Sequence, residues 1–394
     1  MKKKSQLYIF EVLLIVFSAC APLSTTKQPI INPSLLRKTT NTNDHFDEKN
    51  ILQKKATNLL EKEFKPITNK KFLPPSGNKN DYFSTAVYYW KNPNTKDGLP
   101  WIYKDGEYNG QALKKTDHSN YYSTMEAIRD LSLTYKLTDD IKFAKKAISL
   151  IEMWFINNQT KMNPHLNYAQ GIPGVSMGYA SGIIDSRAIL WIINSIPILE
   201  KSVYWTDVNN NKFKEWCSDF LDWLLESKFG IKESKSKNNH GTFYDLQVAT
   251  FATFVENYDL AKNTLENVKE KRIEIQIRPD GSMPEELKRT RAFMYSTFNL
   301  SAYFHSAILA EQYDLDLWNY KTKTCGSIRE AFDFVLNNAI ITNDWNYKGK
   351  INKSRIVGLL QIAGEYIDTT YLDIQKEVLK NNKLKSISEF YYVN

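Results

Sequence analysis

Cysteine and histidine are both scarce in this sequence: three of the first and five of the second in 394 residues. Cys20, Cys217 and Cys325 are too few and too far apart for a disulfide framework, and none has the close spacing of a metal knuckle. With Cys20 lipidated or removed, a single bridge between Cys217 and Cys325 is all an oxidising compartment allows. Taken singly, both read as small buried side chains. His45, His118, His165, His240 and His305 fall at none of the spacings that gather zinc, so no metal or other cofactor is expected. Strand-like alternation of apolar and polar residues is also rare, which excludes sandwiches and barrels. No nucleic-acid-binding module is recognisable, although the formal net charge is +8.

The N-terminus reads as a targeting segment. Lys2, Lys3 and Lys4 precede an apolar run at 7–17, interrupted by Glu11, and Ser18 and Ala19 lead to Cys20. A basic start, a short apolar stretch and small residues describe an export signal over 1–20, too short for a membrane span. Two processing routes fit: lipidation at Cys20, or cleavage at the small-x-small site Ala19-Cys20-Ala21. The expected location is the periplasm, an outer-membrane anchor or the medium, with membrane contact only through Cys20. Residues 21–75 read as a polar tether and approach segment. One large domain is expected over 76–394, as a monomer. An exported basic protein meets acidic polysaccharides and lipid headgroups more often than nucleic acid, and the excess charge is equally compatible with solubility alone.

From Tyr121 onward, apolar residues recur three and four apart. The first helix carries Met125, Ile128 and Leu131, and the next carries Ala144, Ala147, Ile148 and Ile151. Further helices are predicted over 184–199, 211–225, 242–258, 260–275, 286–311, 327–338 and 354–380. Successive helical hairpins make the fold all-α, an α/α toroid or an irregular bundle. The loops between them are rich in Asn, Tyr, Trp, Gly and Pro. Tyr89, Trp90, Tyr168 and Gln170 lie in such loops and supply stacking faces and amide groups suited to sugars.

A uronate polymer can be cut without water: a base removes the proton α to the carboxylate and the glycosidic oxygen leaves. The carboxylate must be neutralised and the developing enolate met by placed donors. Asn239 and His240 stand just ahead of a helix that Thr242 is expected to cap, where the helix dipole favours an anion. Ser282 and Glu285 read as a capping box for the long helix carrying Lys288, Arg289, Arg291 and Tyr295. Arg291 and Tyr295, one turn apart, share a face there, while Arg289 points elsewhere if the helix is regular. A nearby cation is expected to lower the phenol from its usual value of about 10. A glycoside hydrolase would instead need two carboxylates, for which Asp185, Asp245, Glu285 and Glu286 are available.

Six segments in this order resemble the alginate lyase family of helical-toroid polysaccharide lyases: Asp81-Tyr82-Phe83-Ser84 with Tyr88-Tyr89-Trp90-Lys91-Asn92-Pro93, Asp97-Gly98-Leu99-Pro100, the stretch from Met162 to Gln170, Gly182-Ile183-Ile184-Asp185, Asn238-Asn239-His240-Gly241-Thr242, and Pro279-Asp280-Gly281-Ser282 followed by Glu286-Leu287-Lys288-Arg289-Thr290-Arg291 and Tyr295. The resemblance implies a metal-free lyase that cleaves a β-1,4-linked uronate polymer, alginate or a glucuronan-like glycan, leaving 4,5-unsaturated ends. It implies that Asn239 binds the uronate carboxylate and that His240 neutralises it or takes the C5 proton. Arg289 assists, and Tyr295 protonates the leaving oxygen or also serves as base. Asn238, Lys288 and Arg291 join Tyr89, Trp90, Tyr168 and Gln170 as substrate contacts. The arginine register departs from the family, which holds arginine where this chain has Lys288. Arg289 best matches the approach, with Arg291 the alternative. The competing readings are a non-catalytic polysaccharide-binding protein and a hydrolase on a similar ring.

Overall fold

The computed structural model describes residues 42–382. The proposed export signal and Cys20 lie outside the described residues. The chain runs through α1 (Thr42–Glu61), α2 (His118–Thr138), α3 (Ile141–Ile151), α4 (Arg187–Leu199), α5 (Asp207–Glu226), α6 (Lys228–Glu233), α7 (Asn239–Phe254), α8 (Tyr258–Val268), α9 (Glu274–Gln276), α10 (Pro284–Leu287), α11 (Ala292–Glu311), α12 (Ile328–Leu336), α13 (Ser354–Tyr366) and α14 (Thr370–Asn382). Four short strands interrupt it: β1 (Phe83–Thr85), β2 (Tyr89–Trp90), β3 (Ile102–Tyr103) and β4 (Tyr168–Gly171). β1 pairs parallel with β4, and β2 antiparallel with β3.

Two helix types build the ring. Nearly every residue of α7 is buried, and α4 and α11 are almost as enclosed. Helices apolar on all sides belong at the centre. The inner helices pack in sequence, α2 on α4, α4 on α7, α7 on α11 and α11 on α13. The amphipathic helices α3, α5, α8, α12 and α14 cover them from outside with one apolar face each. The result is an α/α toroid of successive helical hairpins. The stretch Ala180–Leu199 is long and apolar enough to cross a membrane, yet 83 % of it is buried in this core.

Three expectations need correction. The segment at 21–75 is not wholly a tether, because α1 packs on α2 with Leu52 and Ala56 buried. Lys55 of α1 also pairs with Asp130 at 2.6 Å. The polar residues around these apolar ones hid a genuine domain helix. The single helix expected over 354–380 is a hairpin, α13 and α14, turned at Asp368. Cys217 is buried but Cys325 is exposed, and both are free thiols.

The long segment between α1 and α2 contains no α-helix, only β1, β2, β3 and a short 3₁₀ helix at Gly110–Leu113. Lys70 anchors it, bonding the buried Asp117 carboxylate at 2.6 Å and the Asp81 carbonyl at 2.8 Å. The same carboxylate accepts the Phe83 amide at 2.9 Å. These contacts fix where β2 and β3 present their tyrosines.

Candidate active site

A cavity of about 700 Å³ opens among the inner helices and this loop segment. Three arginines (Arg187, Arg289, Arg355) and three histidines (His118, His240, His305) line it against two carboxylates, Glu126 and Asp185. Asp185 is already engaged, accepting from Tyr82 at 2.9 Å, Ser84 at 3.0 Å and Gln170 at 3.2 Å. A cationic basin of this kind attracts a polyanion.

The expected helix over 286–311 is broken, and the break positions the arginine. α10 ends at Leu287, and Thr290 turns its amide and hydroxyl onto the Asp105 carboxylate at 2.9 and 3.0 Å. Ala292 gives its amide to Lys348 at 3.0 Å as α11 begins. Ser282 and Glu285 therefore form no capping box: Met283 is the N-cap residue and supplies no side-chain bond. Gly106 allows the close approach, since a Cβ there would lie 2.1 Å from the Thr290 hydroxyl. The turn swings Arg289 inward, where Nε and Nη2 bind Asp105 at 3.0 and 2.6 Å. Nη2 also donates to the Tyr295 hydroxyl at 2.6 Å, and the guanidinium carbon sits 3.7 Å from that ring's centroid. Arg289, not Arg291, is thus the arginine brought to Tyr295. Arg291 and Lys288 are exposed, and Lys288 pairs with Glu285.

Electrostatics in this corner run against one expectation. Burial and the neighbouring Tyr88 push the Tyr295 phenol well above its ordinary value, and Arg289 only partly offsets them. Tyr295 is 6 % exposed but faces the cavity, so it rests as a neutral phenol able to give a proton. Burial opposes ionisation of Asp105 too. There, however, the Arg289 and Thr290 hydrogen bonds win and hold it well below the usual carboxylate range.

On α7, Asn238 is the N-cap, its side chain accepting the His240 amide at 3.2 Å. Thr242 instead donates to Gln276. His240 lies in the first turn with Nδ1 2.6 Å from the Glu233 carboxylate on α6. That contact fixes the ring with Nδ1 as donor and Nε2 as the nitrogen left for the cavity. Burial lowers the His240 pKa, but Glu233 more than reverses this and the net shift is upward. Gly241 is required by a close approach: a Cβ would lie 2.1 Å from the Ser236 carbonyl and 2.6 Å from Arg272. Arg272 clamps this loop, binding Asp245 through two nitrogens and the Ser234 and Ser236 carbonyls.

The helix N-terminus does attract an anion, but the anion is the protein's own. Glu286 accepts the Asn239 amide at 2.6 Å and its side-chain nitrogen at 2.8 Å. Burial pushes the Glu286 carboxyl up to about 7. Asn239 is only 1 % exposed, so much of its donor capacity is spent on Glu286 rather than held for a substrate.

The other candidates divide. Asn238, Tyr89 and Gln170 line the cavity with His240, Asn239, Arg289 and Tyr295. Gln170 does so at φ 49°, a backbone region that costs a non-glycine residue energy. Trp90 donates to the Glu107 carbonyl, and Tyr168 sits in β4 against β1; neither lines the cavity. Sequence reasoning passed over Asp105, Glu233, Tyr103 and Arg187 and named Tyr88 only within a family motif. Only Asp105 carried a signal, as the first residue of an Asp-Gly turn.

Two of the four carboxylates considered for hydrolysis, Asp245 and Glu286, are locked in buried contacts away from the cavity, and Glu285 pairs outside with Lys288. A helical toroid with an imidazole, a phenol and a guanidinium facing one cationic cavity defines a polysaccharide lyase. The alginate lyase family model matches residues 66–345. Over 90 % of this chain and 95 % of the other, the structure is similar to an alginate lyase from Bacteroides ovatus, with 31 % identity and a TM-score of 0.84. It shares its fold with alginate lyase A1-III from Sphingomonas species A1, at 12 % identity and TM-score 0.52 over 82 % of this chain and 86 % of that one. A histidine-to-alanine variant of A1-III complexed with a tetrasaccharide gives 13 %, 0.53, 86 % and 87 % for the same measures. No curated protein sequence gives a significant match. The chain belongs to the alginate lyase family.

Proposed function

We propose that the enzyme cleaves a β-1,4-linked uronate polymer, alginate or a glucuronan-like glycan, by β-elimination. The Arg289–Tyr295 contact, in a cavity shared with His240, carries this reading. His240, oriented by Glu233, takes the C5 proton on Nε2. The electron pair left behind forms the C4–C5 double bond as the C4–O bond breaks. Tyr295 gives its phenolic proton to the departing oxygen, and Arg289 steadies the phenolate that results. The imidazole then returns its proton through solvent. Arg289 and the side-chain amide of Asn238 face the substrate carboxylate, while Asn239 holds Glu286.

Protonation supports this assignment. A neutral imidazole with a neutral phenol is the state populated on the alkaline side of His240, because the phenol is held far up by burial. The reverse pairing, cationic imidazole with phenolate, is scarcely populated at any pH. The 2.6 Å guanidinium contact favours a second reading, in which Tyr295 removes the C5 proton itself and His240 neutralises the carboxylate.

The test is a panel of uronate polymers followed by the ultraviolet absorbance of the conjugated enoate. No rise on any member would end the elimination reading, and product masses raised by one water would replace it with hydrolysis. Export through residues 1–20, periplasmic or outer-membrane residence and monomeric state belong to the same proposal. Labelled palmitate should enter the wild type and be lost in Cys20→Ala. Absence of label, with a cleaved N-terminus, leaves the freely secreted form.

A further inference from the structure

Arg187 opens α4, and its guanidinium faces the same cavity. It lies 5.1 Å from the Tyr122 ring centroid and 5.5 Å from that of Phe298. Nη1 donates to the Tyr122 hydroxyl and, at 2.9 Å, to the Ile184 carbonyl, while Nε is buried with no partner. Arg129, Arg272 and Arg289, also drawn out of solvent, hold Asp130, Asp245 and Asp105. Arg187 has no carboxylate at ion-pairing distance among the described residues. Glu126 is exposed and not paired with it, and Asp185 gives its oxygens to Tyr82, Ser84 and Gln170. A guanidinium set beside aromatic rings, partly desolvated and without a counter-ion, is a preformed anion site.

Its place relative to the chemistry follows from two helices. Phe243 is one turn beyond His240 on α7, and Phe298 is one turn beyond Tyr295 on α11. Their rings meet at 4.2 Å, and Phe298 lines the cavity. Three residues of helix advance about 4.5 Å, so Phe298, beside Arg187, stands about one turn along α11 from Tyr295. His118 adjoins it, with its ring 4.6 Å from Tyr122.

We propose that Arg187 binds the carboxylate of the sugar next to the one undergoing elimination, so that the enzyme selects consecutive uronates over uronates alternating with neutral sugars. The inference rests on the substrate class proposed above and adds a second charge-reading subsite to it. Arg187 is here a binding residue, remote from the reacting atoms.

The test uses the full chain carrying Tyr295→Phe, so that oligomers bind without turnover. Calorimetry compares a tetrauronate with the same oligomer whose carboxyls are reduced to alcohols. Adding Arg187→Ala should weaken tetrauronate binding roughly ten- to a hundredfold, as expected for a lost charge-assisted bond. Binding of the reduced oligomer should change less than about threefold, and Arg187→Lys should recover part of the loss. Equal weakening of both oligomers, or of neither, overturns the proposal. Unchanged thermal unfolding of Arg187→Lys guards against a folding defect. If the wild type cleaves no uronate polymer while the carboxylate-dependent loss persists, the elimination reading fails and this site stands. If cleavage is seen and the loss does not depend on carboxyls, only this inference fails.

Discussion

Arg289 and Tyr295 are six residues apart, yet the guanidinium both donates to the phenol oxygen at 2.6 Å and lies 3.7 Å from the ring's centroid. A regular helix could not bring positions i and i+6 onto one face. The Asp105-pinned turn at Thr290 makes the contact, and it joins a proton donor to the cation that stabilises its conjugate base.

Tyr295→Phe should therefore remove the proton delivered to the leaving oxygen and little else. Turnover should fall by about 10²–10⁴, the usual range for a placed acid, while oligosaccharide affinity stays within a fewfold. Initial rates and calorimetry check this. Residual activity above about a tenth of wild type would take Tyr295 out of the chemistry.

Asp105→Asn keeps the shape of the side chain and loses the charge that holds Arg289. Stability should drop by about 1–3 kcal/mol in urea unfolding, the range for hydrogen bonds to a charged group. Turnover should drop more than tenfold, because the guanidinium is no longer aimed at the phenol. A variant that unfolds more easily but turns over normally would separate the turn from the mechanism.

Glu233→Gln removes the carboxylate that raises His240, so the imidazole pKa should fall. With His240 as base, the acid limb of the kcat profile moves to lower pH. Movement of the alkaline limb instead would assign the imidazole to the substrate carboxylate and the C5 proton to Tyr295. The stability sign is fixed as well. A folded-state pKa raised above 6.5 stabilises the fold at low pH, and that contribution fades as pH rises through the folded value. The deficit of Glu233→Gln should thus be largest below about pH 6.5 and shrink above it.

Gly241→Ala places a methyl against a backbone carbonyl and the Arg272 guanidinium. A loss of roughly 1–3 kcal/mol is expected, with a larger loss of activity because His240 precedes it directly. Thermal unfolding at fixed pH reads the first effect. A neutral outcome would mean that the Ser236 loop yields freely.

Much of this molecule could be read from periodicity and punctuation. The inner helices α4, α7 and α11 announced themselves as long apolar stretches, and motif order gave the family. The boundary near residue 76 failed because Leu52 and Ala56 are sparse apolar residues in a polar context. Helix breaks failed more instructively. Nothing in Lys288-Arg289-Thr290-Arg291 opposes a helix locally; the force that breaks it comes from Asp105, 185 residues before Thr290. Glu233 is only seven residues before His240, yet their bond needs the turn from α6 to α7, which no helical spacing announces. Pairing of either kind leaves no periodic trace.

The turn carrying Arg289 is pinned from both directions, by Asp105 far upstream and by the Lys348 carbonyl downstream, with Gly349 packed against Thr290. A fragment that stops short of residue 349 lacks the downstream half of that pinning. The arginine is fully aligned with its phenol only once the segment at Lys348 and Gly349 docks on the turn.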